Sequence, residues 1–383
     1  GSNLCVVAVI GGSKISSPDF TIISNAVKMD GDSVINAQAY TDESGVRHNG
    51  AVLITADGAN FSANSAVNMD GTTIGFYDEP MDIANTAFTA EDGTITLSTT
   101  KDAYIVNSNF NGNVKVEANK LHFGDSSNGQ LTTVSGDLDI DAGHNVYVIG
   151  TNVDGNTNID TTSGIINLYK VKLGADGANT VNNLNSANRY IRFEGEVDVN
   201  GDLNMTANAL NMGYYVSSNG GELDPSYVNV TGDLYADIYS TISFSDVITA
   251  KNITMISQES SILAAHLGDD YHASLNTIDG TGNITLSAVK GEVTSLDGTV
   301  PSGGKSAYFD KMSYQGHLTA DKMADVADSK SNIKVAGGNA TLTSEGVALV
   351  DSNLKGNLNV TSSNANAAVT GSADGNVVVN TKT

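Results

Sequence analysis

The 383-residue sequence contains no tryptophan, one cysteine and four prolines, and its aromatic residues amount to 6%. Each shortage excludes something. Cys5 has no second thiol with which to close an internal disulfide, so no covalent staple supports the fold, and a small buried apolar residue is its expected role. With few aromatic rings, the interior is expected to consist of small aliphatic side chains. Cations are scarce too: 19 Lys and Arg stand against 43 Asp and Glu, a net charge of -24. Phosphates demand clusters of Lys and Arg, so the balance argues against a nucleic-acid partner and against anionic membrane surfaces. No stretch reaches the roughly 18 apolar residues that span a bilayer, so no membrane insertion by this chain is expected. The run from Leu4 to Ile10 is too short, and lacks the basic flank, for a signal peptide. Gly1 and Ser2 read as a cloning remnant, and the chain is expected to be a piece of a longer protein whose export and anchoring segments lie elsewhere.

What is abundant is glycine, 40 residues of it, in a chain whose 40% hydrophobic content is too high for disorder. A single core stops growing near about 250–300 residues, but repetition removes that limit. A short unit recurs: glycine, then Asn, Asp or Thr, then alternating residues with an apolar or small side chain at the third and usually the fifth position. It appears as Gly93-Thr94-Ile95-Thr96-Leu97, Gly112-Asn113-Val114-Lys115-Val116, Gly136-Asp137-Leu138-Asp139-Ile140 and Gly155-Asn156-Thr157-Asn158-Ile159. It returns from Gly201, Gly232, Gly282, Gly338, Gly356 and Gly375, with variants from Lys251 and Gly316. Most successive steps are about 20 residues or a small multiple, and Gly177 divides the long gap from Gly155 to Gly201 nearly in half. Near the N-terminus, Ala26-Val27-Lys28-Met29-Asp30-Gly31 is echoed by Ala66-Val67-Asn68-Met69-Asp70-Gly71, two steps later.

A second alternating run usually follows each unit, as in Leu121-His122-Phe123, Val146-Tyr147-Val148 and Leu210-Asn211-Met212. Period-two alternation punctuated by Gly, Asn, Asp and Ser is a strand signature and offers no helical stripe. The chain is therefore expected to be all-β: a right-handed parallel β-solenoid with rungs of about 20 residues, each of two or three short strands, and loop excursions. The unit glycine is expected to supply positive φ at a corner, and Asn or Asp beside it to bond local amides. Outward positions such as Lys115, Asp139, Asn158 and Asn204 are polar, and stacked Asn and Thr would form hydrogen-bonded ladders. Four regions are expected: less regular rungs over 1–90, a regular solenoid over 91–250, expanded loops over 251–316, and C-terminal rungs over 317–383.

The expanded region carries the candidate site. Unit spacing widens to 31 between Lys251 and Gly282 and to 34 between Gly282 and Gly316. Loops on a rigid scaffold are where recognition concentrates. The expected ligand-binding residues are His266, Asp269, Asp270, Tyr271 and His272 in the first stretch, and Lys305, Tyr308 and Tyr314 in the second. Tyrosine suits glycan or protein contact because its ring joins apolar area to a polar tip. Asp269 and Asp270 are the nearest approach to a carboxylate pair for glycoside cleavage. Adjacent residues on a strand point to opposite faces, however, so no catalytic residue is assigned. His266, Asp269, Asp270 and His272 match no strong zinc spacing, and Asp30-Gly31-Asp32 lacks the nonapeptide repeat of calcium-loaded β-rolls, so no metal or cofactor is expected. Gly303-Gly304-Lys305-Ser306 is not a P-loop, and a Gly-x-Ser-x-Gly elbow is missing. Asn-x-Ser/Thr sequences at Asn60, Asn229, Asn252, Asn283, Asn339 and Asn359 read as turn and strand composition.

The run from Gly136 through Val146-Tyr147-Val148 to Ile159 resembles the repeat of filamentous-haemagglutinin-like exoproteins, and autotransporter passengers look similar. The likeness covers residues 90–383 clearly and the first 90 loosely. It implies a secreted or cell-surface protein of a bacterial outer membrane: a rigid adhesin stalk, not an enzyme, whose partner is a host or bacterial cell-surface glycan or protein, or a second copy of itself. Two other functions fit the repeat, the rod of a contact-dependent or cytolytic toxin and a polysaccharide-degrading β-helix. No family binding motif is found, so no binding residue is carried over.

Overall fold

The computed structural model is a β-solenoid of parallel stacked coils averaging about 21 residues, and no α-helix occurs among the described residues. It is described without a break over residues 81–127, 129–212, 227–244, 247–260 and 262–264, and elsewhere over the strands and a few residues beside them. Two compact units make it up, residues 1–187 and 188–383.

In the first unit each regular coil has three strands, and each strand pairs in parallel with its counterpart one coil later. On the first face, the Gly-Asx units stack: Val114 pairs with Leu138, Leu138 with Thr157 and Thr157 with Asn182. On the second, Met81 pairs with Ala103, Ala103 with Leu121, Leu121 with Val146 and Val146 with Ile166. The third runs from Ala87 through Asn109 and Thr133 to Asn152 and Lys172. The second unit repeats the first-face stack from Leu203 through Leu234, Ile253 and Ile284 to Leu318, and on through Ala340 and Leu358 to Val377.

Alternation decides which side of each strand goes inward. Leu138–Ala142 buries Leu138, Ile140 and Ala142 and exposes the aspartates between them. Register then sets Val116, Ile140, Ile159 and Leu184 in one buried column. Each such side chain contributes about 1.5–3 kcal/mol by leaving water. Rings also fill the interior, contrary to the expectation from their scarcity: Phe88, Phe110, Phe123, Phe193 and Phe244 are among the largest fully buried side chains. Phe88 and Phe110 stack at 5.2 Å between centroids and 8° between planes, and Phe123 lies 5.9 Å from Phe110. Strands repeat about 4.8 Å apart, close to the stacking distance of flat rings, so few aromatics suffice when each lies over the next.

A ladder of side-chain oxygens joins the coils at the first corner. Asn113 Oδ1 accepts the Asp137 amide at 2.9 Å, 24 residues on, and Asp137 Oδ1 accepts the Asn156 amide at 2.8 Å, 19 residues on. Asn156 Oδ1 then accepts the amide of Val181, where the ladder ends because valine has no acceptor. The second unit builds its own: Asp202 Oδ1 takes the Asp233 amide, Asp233 Oδ1 the Asn252 side-chain amide, and Asn252 Oδ1 the Asn283 amide. Asn252, in an Asn-x-Thr sequence, thereby uses both its side-chain amide and its side-chain oxygen within the ladder.

This ladder changes the role of the unit glycine. Positive φ is found at Gly112 and Gly201, but not at Gly136, Gly155 or Gly232. At those three positions a Cβ would strike the ladder oxygen of the coil before, Asn113, Asp137 or Asp202 respectively. At Gly155 it would also stand 2.6 Å from the Gly136 carbonyl carbon. Glycine is required there by close approach of two backbones. Two further readings are corrected. The unit between Gly155 and Gly201 begins at Thr180, since Thr157 pairs with Asn182, while Gly177 occupies a turn at φ 75°. Asn182 is nonetheless fully buried, with its Oδ1 accepting the Thr157 amide and its Nδ2 donating to Thr180. The N-terminal echo is not a structural repeat: Ala26 pairs with Val6 and Gly58, whereas Ala66 pairs with Val34 and Ala87 on another face.

Gly155→Ala is expected to lower the stability of the first unit by about 1–3 kcal/mol, the usual cost of overpacking. Gly143→Ala, where the nearest atom is 3.4 Å from the added Cβ, should stay within about 0.5 kcal/mol of the parent. Urea unfolding of the two variants measures the difference.

Candidate functional site

The strands that bound both expanded steps are held together. Asn252 bonds Asn283, 31 residues on, and Asn283 pairs with His317. His266, Asp269, Asp270, Tyr271, His272, Lys305 and Tyr308 lie outside the described residues. Tyr314 lies in the strand Met312–Gln315, in register with Leu275 before it and Val335 after it, so it belongs to a stacked face.

Among the described residues, the first unit builds a concave site from its second corner. Four coils turn there on one left-handed residue, Asn85 (φ 50°), Asn107 (φ 50°), Gly150 (φ 53°) and Lys170 (φ 52°). In three, the next residue is a buried Ser or Thr whose hydroxyl reaches back across the bend. Thr86 Oγ1 donates to the Ala84 carbonyl at 2.9 Å, Ser108 Oγ to Val106 at 2.9 Å, and Thr151 Oγ1 to Ile149 at 3.1 Å. Asparagine and glycine fit because they tolerate the left-handed region, and the hydroxyl holds a carbonyl at the bend.

One coil departs from this pattern. After Phe123 a loop, described over residues 124–127 and 129–131, precedes Thr132, where the third face resumes. Its neck is tight: Gly124 has φ 88°, and the Gly150 Cα approaches Asp125 so closely that an added Cβ would lie 2.8 Å from the Asp125 carbonyl oxygen. Asp125 orders the loop, accepting from the Ser127 amide at 2.9 Å and from Ser127 Oγ at 2.6 Å. Those two bonds, the hydroxyl's first, hold the Asp125 carboxyl below the usual range against a smaller opposing effect of burial. Thr132 occupies the place of Ser108 and Thr151, but the loop has replaced the corner it would span. Its Oγ1 is buried with no hydrogen-bond partner among the described residues.

Beneath the loop is a cleft of about 440 Å3. Asn85, Thr86, Ala87 and Asn107 line it from the corner, Asn109 from the third face, and Gln130 and Leu131 from the loop. Asn109 Oδ1 accepts from Thr133 Oγ1 at 2.8 Å. Asn107 Oδ1 is buried with no hydrogen-bond partner among the described residues, a condition that costs about 1–3 kcal/mol. Leu131 is 45% exposed. Among the described residues, not one in the lining is ionisable, in a chain carrying a net charge of -24.

Charge gathers instead on the outside of the first face. Lys115 Nζ lies 2.7 Å from Glu117 Oε1, and Ser98 Oγ donates to the same carboxylate at 2.9 Å. These bonds depress the Glu117 pKa. One coil on, Asp139 is held above its usual range, first by desolvation and then by Asp141 and Asp160, with Lys115 opposing. Among the described residues, no group of three or more His, Cys, Asp or Glu could hold a metal ion.

The cleft was missed in the sequence, although two signals mark it. The triplets Ala84-Asn85-Thr86, Val106-Asn107-Ser108 and Ile149-Gly150-Thr151 record the corner, and the widened step from Gly112 to Gly136 records the loop. The chain matches no family model, no curated protein and no solved structure.

The Asp125 carboxyl sets a pH dependence for the loop. Its folded pKa is depressed, so its contribution is fully present above the unfolded value, about 3.9, and is lost as pH falls through the folded value. Amide-exchange protection at Ser127 is expected to fall over that acid range, and at neutral pH in Asp125→Asn. Protection at Leu138, whose amide bonds the Asn156 carbonyl at 2.8 Å, should persist in the variant.

Proposed function

We propose that the chain is part of the scaffold of a secreted or cell-surface bacterial adhesin, which acts by binding a cell-surface partner through residues displayed on a stiff β-solenoid. The observation that carries this reading is the Asx ladder. It keeps the first corner in register across steps of 19, 24 and 31 residues alike, so the length of a step can vary without disturbing the corner. Such a scaffold tolerates variation where recognition takes place and resists it where coils meet. The surplus of acid keeps so repetitive a surface soluble. The resemblance of the repeat to filamentous-haemagglutinin-like exoproteins points the same way, and suits a protein outside the cell.

Beads coated with the chain are expected to be retained on host epithelial or bacterial cells under flow, with retention abolished by the soluble chain. Retention no greater than that of albumin-coated beads overturns the adhesive reading. Release of reducing ends from polysaccharides incubated with the chain replaces it with an enzymatic one.

A further inference from the structure

We propose that the cleft beneath residues 124–131 is a binding site for an uncharged saccharide. The inference rests on the adhesive reading and names the chemistry of its ligand. Asn85, Asn107, Asn109 and Gln130 bring four primary amides to one concavity of about 440 Å3, within the range of small-molecule sites. Every such amide offers both donors and an acceptor, and a sugar hydroxyl is likewise both, so amide and hydroxyl match in either direction. The exposed Leu131 supplies apolar area for the C–H side of a sugar ring.

Charge narrows the class. Among the described residues the lining holds no cation to compensate a sulfate, phosphate or uronate, and the whole chain carries an excess of acid. Nor does any described lining residue offer a carboxylate to a cationic ligand. An extended peptide is disfavoured because the backbone is already committed. The Asn85 amide donates to Val106, the Asn109 amide to Thr86 and the Thr133 amide to Ser108, so the corner offers no row of free groups on which a strand could add. Side chains alone remain to recognise a ligand, and they are uncharged and amphiprotic.

The Asn107 oxygen, buried with no hydrogen-bond partner among the described residues, belongs to a residue of the lining and agrees with this reading. Native structures leave few polar atoms unsatisfied, and those left often mark places where a water, ion or ligand completes the bonding. Rotation of the Asn107 side chain toward the cleft would bring this amide to a ligand hydroxyl. The left-handed backbone also provides a clean probe. Glycine is at ease at φ 50°, so Asn85→Gly and Asn107→Gly remove amides without straining the corner.

The experiment titrates the whole chain, isotopically labelled, with glucose, galactose, mannose, N-acetylglucosamine and lactose, and with glucuronate and Lys-Gly-Lys as charged comparators. Saturable shifts of the backbone amides of Asn85, Asn107, Asn109 and Leu131 with at least one neutral sugar are expected, and none with the comparators. In the Asn85→Gly/Asn107→Gly variant, affinity for that sugar should fall by about tenfold or more. The loop variant Gln130→Ala should weaken binding without altering the thermal midpoint, which separates loss of contact from loss of fold. Absence of saturable shifts with every neutral sugar overturns the proposal, as does unchanged affinity in both variants or preference for a charged comparator. Bead retention is scored in parallel. Cells that hold parent and double-glycine beads equally, with no sugar bound, defeat the saccharide site and leave the adhesive reading standing. No retention at all, with sugar still bound in the cleft, defeats the adhesive reading alone.

Discussion

The structure depends on a hydrogen bond that runs along the stack: a side-chain oxygen beside the first corner holds the equivalent backbone amide of the next coil. Parallel strand pairing alone fixes register weakly when inward residues resemble one another, because Ile over Leu and Leu over Ile are almost equally good. Where an Asn or Asp stands at this point of a coil it removes the ambiguity, since its oxygen lies opposite a single amide. The glycine before it follows from the same contact. At Gly136, Gly155 and Gly232 the missing Cβ leaves room for the oxygen below, so Gly and Asx form one device shared by two coils.

That sharing explains what could be read in the sequence and what could not. The period, the alternation and the unit positions were legible because ladder and core repeat in every coil. Units from Gly93 to Gly155 and from Gly201 to Gly375 do stack on one another within their own units of the fold. The reason for the glycine was not legible, since a requirement set by the neighbouring coil leaves the same letter as one set by φ. Thr180-Val181 carries no mark in the sequence because it lacks the glycine and has a valine, with no side-chain acceptor, at the ladder position, yet pairing and the buried Asn182 amide hold it in line. The Ala26 and Ala66 segments look alike because inward alternation imposes one pattern on all faces, so likeness of sequence does not establish identity of face.

The candidate site was harder to read for a related reason. Attention to expanded spacing leads to the longest steps, after Lys251, where seven of the eight expected residues lie outside the described structure. The shorter excursion, from 124 to 131, joins the corner below it through Asp125 and Gly150, and a cleft forms where the two meet. Its amides are scattered over 46 residues of sequence, from Asn85 to Gln130, and in a chain rich in asparagine no one of them stands out. Only stacking brings Asn85 and Asn107 together, and only the missing corner of the next coil leaves space above them.

Scaffold and cleft are therefore built by the same polar side chains in two states of satisfaction. At the first corner, Asn and Asp oxygens meet amides of the next coil and the bonding closes within the protein. At the second, the hydroxyls of Thr86, Ser108 and Thr151 close their own bends, but among the described residues Thr132 and Asn107, around a coil whose bend is replaced by a loop, keep a buried oxygen without a partner. Among the described residues a buried oxygen is left without a partner both beside this loop, at Thr132 and Asn107, and within a regular coil, at Thr157. What the departing coil adds is space: it opens a cleft beside amides that stacking has brought together, and the solenoid acquires a candidate site without giving up the ladder that keeps it in register.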